Sequence, residues 1–386
     1  MRTLTSVLWI SLAVLLIAGF SGCLKKDEQQ DGEETVQAEV PSGDLNSGIS
    51  TAMKKGAEYL VSNMNDRGII SIEYEGKQVP NAGITALGIV ALTHIEDKSD
   101  SIREAISKGS EFLASLKKED GGIYLSAKAA PPTYVTAVTI MALNRIDSEK
   151  YKDIIRNAQD YLAGKQAKKT DDTTNYGGIG YGSDKTANLS TTQFALEALN
   201  ESGYENDEVF KAAVQFLQRC QNNSETNDLP AAGNDGGFYY STHSSKAGEI
   251  TLENGKKGYK SYGSMTYAGI KSYIYADVDK TDPRVQNALT WIRNNYTVDS
   301  NPGMANPKMG LFYYFHTMAK TLSILDMDTF EDAAGVQHDW RKELAEKIIS
   351  LQGENGAWKN SADRWYESIE PLATAYAIAA LDYCRK

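Results

Sequence analysis

Side chains suited to acid–base work gather in the last third of the chain. His316 and the His338–Asp339 pair can exchange a proton near neutral pH, Asp363 and Glu367 can act as carboxylate partners, and Arg364 can hold an anion. Aromatic residues crowd the same stretch, and three of the chain's five tryptophans (Trp340, Trp358 and Trp365) fall close together in its final part. Gathered around a pocket, His316, Asp339 and Glu367 are the catalytic candidates. Tyr262, Tyr267, Tyr313, His338, Trp340, Arg364 and Trp365 would bind the ligand. The same residues could instead tie the last segments of the fold to the first; Arg364 and Glu367, for example, stand at i, i+3, where a helical surface pair contributes only about 0.2–0.5 kcal/mol.

The elements that must position these residues repeat along the chain. One kind of segment carries an aromatic–aliphatic pair and often a glutamine. It occurs as Tyr59-Leu60, Phe112-Leu113, Tyr161-Leu162 with Gln166, Phe216-Leu217 with Gln221, and Trp291-Ile292. A sixth, degenerate copy keeps Ile348 and Gln352 but places Lys347 in the aromatic slot. Apolar residues at i, i+3, i+4 and i+7 make each an amphipathic helix with one wet face. Glycine-rich turns follow, such as Gly121-Gly122-Ile123, Gly177-Gly178-Ile179, Gly236-Gly237-Phe238, Gly310-Leu311-Phe312 and Gly356-Ala357-Trp358.

A second kind of helix comes next, over 82–92, 135–143, 189–199, 262–273, 314–325 and 372–381. It carries Ala, Thr, Ser and Tyr where a surface helix would carry Lys and Glu. A helix with so little charge around its circumference is buried on all sides. Six wet helices alternating with six buried ones predict an outer ring around an inner ring, an all-α (α/α)6 toroid. An open stack would need polar end caps, which the sixth pair lacks.

The aromatic–Leu–x–x–x–Gln pattern followed by Gly–x–aromatic resembles the repeat of squalene–hopene cyclases and of protein prenyltransferase β subunits, over nearly the whole chain after residue 50. More narrowly it resembles bacterial prenyltransferase/squalene-oxidase-repeat lipoproteins of unassigned activity. The resemblance implies a terpenoid cyclase-like toroid whose inner helices surround a central cavity. The chemistry of those families does not come with it. Cyclases of this type protonate an alkene with an Asp-x-Asp-Asp motif, and the matching segment here is Asn188-Leu189-Ser190-Thr191-Thr192-Gln193, which holds no Brønsted acid. Asp277-Val278-Asp279-Lys280 reads as a solvated turn. Asp382-Tyr383-Cys384 has the spacing of a prenyltransferase zinc ligand pair, but no histidine follows it. Neither a metal nor another cofactor is expected.

The beginning of the chain is a separate matter. Met1-Arg2-Thr3 precedes an apolar run from Val7 to Phe20 that is too short to span a bilayer, so residues 1–22 read as a signal peptide. Phe20-Ser21-Gly22-Cys23 resembles a lipobox, which implies acylation of Cys23 and a lipid anchor to a membrane of the cell envelope, on the extracytoplasmic side. Residues 23–50 are polar and acidic, the composition of a flexible tether, leaving residues 51–386 as the toroid domain. With 24% charged residues and a net charge of −11, nucleic acid is an unsuitable partner.

Two functional classes follow. A binding protein would hold an apolar or mixed ligand, such as an isoprenoid or lipid, in the central cavity. A carbohydrate-active enzyme, either glycan hydrolase or polyuronate lyase, would stack sugars on Trp340, Trp358 and Trp365. A cyclase-like isomerase with a non-standard acid and a purely structural role are the remaining alternatives.

Overall fold

The computed structural model describes residues 44–127, 130–170, 173–182 and 186–385. The expected signal peptide and the lipidation site Cys23 lie outside them. Twelve helices are present among the described residues. The outer ones are α1 (Leu45–Ser62), α3 (Asp100–Ser115), α5 (Lys152–Gly164), α7 (Asp207–Arg219), α9 (Pro283–Asn295) and α11 (Trp340–Ser350). The inner ones are α2 (Ala82–Thr93), α4 (Pro132–Asp147), α6 (Leu189–Glu201), α8 (Gly263–Tyr275), α10 (Leu311–Ile324) and α12 (Glu370–Cys384). Each inner helix packs on the next, and α12 packs on α2, so the ring is closed. No described helix is long and apolar enough to cross a membrane.

The alternation of wet and dry helices arises as the periodicity predicts. On α7, Val209, Ala212, Ala213, Phe216 and Leu217 are buried, while Asn206 caps the N-terminus and Asp207 and Glu208 occupy its positive end. On α2 every residue from Ala82 to Leu92 is buried. One boundary differs: α1 starts at Leu45, inside the stretch read as tether, because Ile49 packs into the core. Three two-stranded antiparallel hairpins interrupt the helices. They pair β1 (Ser71–Tyr74) with β2 (Lys77–Pro80), β3 (Glu249–Thr251) with β4 (Lys257–Tyr259), and β5 (Phe330–Glu331) with β6 (Gln337–His338).

The repeat glutamines fasten one hairpin to the next. The Nε2 of Gln166 donates to Gly177 O and Val209 O, that of Gln221 to Gly236 O and Arg284 O, and that of Gln352 to Gly356 O and Ala52 O. In each case one carbonyl belongs to the glutamine's own turn and the other to the next outer helix; for Gln352 that helix is α1, so this bond closes the ring. Inner-helix threonines anchor the turns from the other side: Thr85, Thr136, Thr192, Thr266 and Thr374 accept the N–H of Ile70, Ile123, Ile179, Phe238 and Trp358.

At the seam, Gly356 has φ +83°, and a Cβ there would lie 2.7 Å from Lys55 O. The buried Trp358 lies against Gly56 of α1, where a Cβ would come within 2.7 Å of the indole. Gln352→Ala is expected to lower stability by about 1–3 kcal/mol, because two carbonyls lose their donor. Urea unfolding measures this, and an unchanged midpoint would mean that packing alone holds the seam.

Candidate functional site

Every inner helix follows a turn from the same end of the ring, so all six N-termini share one mouth. Tyrosines occupy it. Tyr134 sits in the first turn of α4, Tyr313 in the first turn of α10 and Tyr376 in the second turn of α12, while Tyr181 and Tyr240 lie on the turns leading to α6 and α8. Their hydroxyls meet across the ring. Tyr134 and Tyr376 are 3.0 Å apart, Tyr181 and Tyr240 2.6 Å, and Tyr313 lies 3.4 Å from both Ser190 Oγ and Gln193 Nε2. Phe194 fills the middle, its ring 4.9 Å from that of Tyr134. The fully buried Gln193 Oε1 accepts no hydrogen bond.

Burial keeps the phenols of Tyr134, Tyr240, Tyr313 and Tyr376 protonated. Tyr134 is pushed up to about 12, and Tyr313 further, so at neutral pH they donate and accept hydrogen bonds rather than act as phenolate bases. Two cations adjoin them. Lys246 stands 4.2 Å over the Tyr240 ring; burial, and then the charge of Arg364, lower its pKa. The Arg364 charge also reaches Tyr262, which is buried beneath the mouth. Neither Lys246 nor Arg364 forms an ion pair with a described residue. Together with the inner-helix N-termini they make a positive basin in an acidic protein.

Below the mouth the bore is filled. A cavity of about 20 Å³, room for one water, lies between Phe194, Glu197, His316, Lys320, Tyr376 and Tyr383. Tyrosine and phenylalanine rings meet across the axis here, so this void among the described residues is far smaller than the central chamber expected for an isoprenoid or other apolar ligand. Bordering this void, in the C-terminal halves of the inner helices, lies a buried ionic layer. Glu197 pairs with Lys271 at 2.5 Å and with Lys320; Lys320 also pairs with Glu201 at 2.6 Å. Arg145 donates to His94 Nε2 at 2.8 Å, so His94 must donate from Nδ1 to Asp382, at 2.5 Å. His94 is thus neutral; burial lowers its pKa. The ionic layer is absent from the sequence reading. Its signal is there in Glu197, Lys271 and Lys320, which are charges on helices that otherwise carry almost none.

The residues predicted to act together are dispersed. His316 lines the small void, and burial with the nearby Lys271 holds it well below the usual histidine range, leaving its Nδ1 without a partner. Asp339 caps α11 on the outer ring, accepting from Lys342 N. His338 lies beside it, between Asp332 and Glu343. Glu367 is the N-terminal cap of α10: it accepts from Phe312 N, Tyr313 N and Asn360 Nδ2 because Gly310, at φ +63°, offers no capping side chain. Its carboxylate is buried and shared among three donors, so no pair of working carboxylates forms with Asp339. The tryptophan expectation is corrected as well: Trp340 and Trp358 are fully buried, Tyr267 is buried against Tyr314, and of the three tryptophans only Trp365 reaches solvent.

The alternative acid sites are also occupied. Asn188 caps α6 through Thr191 N, Asp279 binds Thr281 in a turn, and Asp382 is held by His94 and Arg385. The thiols of Cys220 and Cys384 are free and buried, and burial raises both.

No protein-family profile matches the chain, and no curated protein matches it in sequence. Solved structures do match in shape. The apo type II terpene cyclase MstE from Scytonema is 11% identical with a TM-score of 0.55, over 87% of this chain and 98% of that one. The fold is that of the α/α toroids. An unsaturated glucuronyl hydrolase specific for heparin is 13% identical with a TM-score of 0.55, over 88% of this chain and 97% of that one. A possible GH105 family member from Salmonella enterica is 9% identical with a TM-score of 0.54, over 91% and 97%. Identities this low establish the shared architecture alone, and it serves both a cyclase and glycan-acting proteins.

Proposed function

We propose that this protein is a lipid-anchored extracytoplasmic receptor whose tyrosine-lined mouth binds an anionic saccharide, with a uronate carboxylate against Lys246 and Arg364. The observation that carries this reading is the mouth itself: phenol hydroxyls and two cations without an ion pair among the described residues gather at one opening above a nearly filled bore. Aromatic rings with polar tips suit sugars, which present apolar ring faces edged with hydroxyls. One toroid of like fold is named as an unsaturated glucuronyl hydrolase specific for heparin, so the scaffold is compatible with this ligand class. Binding without hydrolysis is favoured because Glu367, the buried carboxylate that accepts from Tyr313 N, is engaged as a helix cap.

Calorimetric titration with galacturonate oligomers, against neutral glucose oligomers of equal length, tests the reading. Saturable binding of the uronates alone is expected; equal affinity for both, or none for either, overturns it. The anchor is tested separately. Cys23→Ser is expected to abolish incorporation of labelled palmitate and to release the protein from washed membranes, whereas unchanged labelling would remove the lipobox from the account.

A further inference from the structure

Beside the mouth, one short loop holds its backbone in a conformation that side chains disfavour. Trp365 and Tyr366 are consecutive, and both are left-handed, at φ +70° and +66°. Neither is glycine, asparagine or aspartate, the residues that adopt this region readily. Tyr366 is exposed by 65%, so burial of apolar surface does not account for its strain. The loop is nonetheless tightly held. Tyr366 N donates to Asp363 O, Ser368 Oγ bonds Asp363, and Glu367 reaches under α10 to cap the helix that carries Tyr313.

The held loop directs its rings along the rim. The Trp365 ring lies against Gly310, where a Cβ would approach within 3.1 Å, and the Arg364 guanidinium stands 5.2 Å from its centroid. A strained segment that persists in a well-determined setting is a signature of function rather than of packing.

The geometry points to a second saccharide subsite on this rim, formed by Trp365 and Tyr366 as stacking faces with Arg364 between them and the basin, so that the ligand is an oligosaccharide chain reaching outward from the mouth. This rests on the proposed mouth site. The rim supplies ring faces and one cation, the needs of an acidic sugar lying flat, whereas the deeper basin supplies hydroxyl partners.

Chain length separates the two ideas. Wild-type protein is titrated with galacturonate monomer, dimer and hexamer, and the series is repeated with Trp365→Ala and with Tyr366→Gly. The hexamer is expected to bind more tightly than the dimer in wild type, and each variant is expected to weaken the hexamer by about tenfold while leaving the dimer unchanged. Tyr366→Gly relieves a left-handed tyrosine, so its thermal midpoint should rise or hold, which a merely structural residue would not permit. Equal hexamer and dimer affinities in wild type, or a Tyr366→Gly protein that binds the hexamer normally or unfolds earlier, would overturn the subsite and leave the mouth standing. Absence of binding at every length would defeat the mouth reading itself.

Discussion

Glu197→Gln is expected to destabilise the folded chain by about 3–5 kcal/mol, the cost of leaving a buried charge without its partner. Lys271 and Lys320 are both almost wholly inaccessible and share this one carboxylate from opposite oxygens. With glutamine in place, Lys271 loses its only ion pair among the described residues, while Lys320 retains Glu201. A triple exchange of Glu197, Lys271 and Lys320 to methionine is expected to recover much of the loss, since an apolar set of similar volume needs no desolvation of charge. Denaturant unfolding measures all three proteins. A single variant within about 0.5 kcal/mol of wild type, the range of ordinary surface changes, would show that the pairing contributes little.

The ionic layer also sets an acid dependence. Burial opposes ionisation of Glu197, but Lys271 and Lys320 outweigh it and hold the carboxyl well below its ordinary value of 4.5. A depressed folded pKa gives stability that is present above the unfolded value and is lost as pH falls toward the folded one. Wild-type stability should therefore decline on acidification below about pH 4.5, with a shallower decline in Glu197→Gln. Parallel acid limbs in the two proteins would place the titration elsewhere.

The second large effect concerns the mouth. Lys246→Met should weaken uronate binding by about tenfold to a hundredfold, since hydrogen bonds to charged groups contribute about 1.5–3 kcal/mol. Affinity of the wild type should fall with added salt, and the variant should respond less. A methyl-esterified ligand, which lacks the carboxylate, should bind both proteins alike. If Lys246→Met weakens the ester as much as the acid, the lysine acts on shape rather than charge. Tyr313→Phe tests the polar side of the same basin, because its hydroxyl holds Ser190 and Gln193 across the ring.

Much of the fold was legible because it is periodic. The aromatic–aliphatic pairs and the weakly charged segments mark helix faces through local spacing, and local spacing survives in a string of letters. The glutamines were visible as part of the pattern, although their task of joining neighbouring hairpins was not. The candidate site was legible only in part. Arg364 lies close enough to Lys246 for their charges to interact, Trp365 stands outside the mouth on the rim loop, and Tyr262 and Tyr313 lie beneath the mouth or within it, but Tyr134, Tyr181, Tyr240 and Lys246 were not singled out. They stand on separate repeats, and a cluster assembled across a ring has no signature within any one of them.

Asp339 and Glu367 show the same division in a single chemical type. Both are carboxylates near aromatic residues, and both turn out to cap helices, one on the outer ring and one on the inner. Which backbone N–H each would meet depended on the placement of α10 and α11, about which neighbouring letters say nothing.

Residue order alone determined the twelve alternating helices, and it left no acid at Asn188–Gln193, since periodicity and side-chain chemistry are local properties. Tertiary structure decided that the bore is closed, that Glu197 neutralises two lysines, and that tyrosines from five inner-helix repeats share one opening. Those outcomes rest on contacts such as Tyr134 with Tyr376 and Lys320 with Glu197, between residues 242 and 123 positions apart. Only closure of the ring brings such pairs within reach of a hydrogen bond.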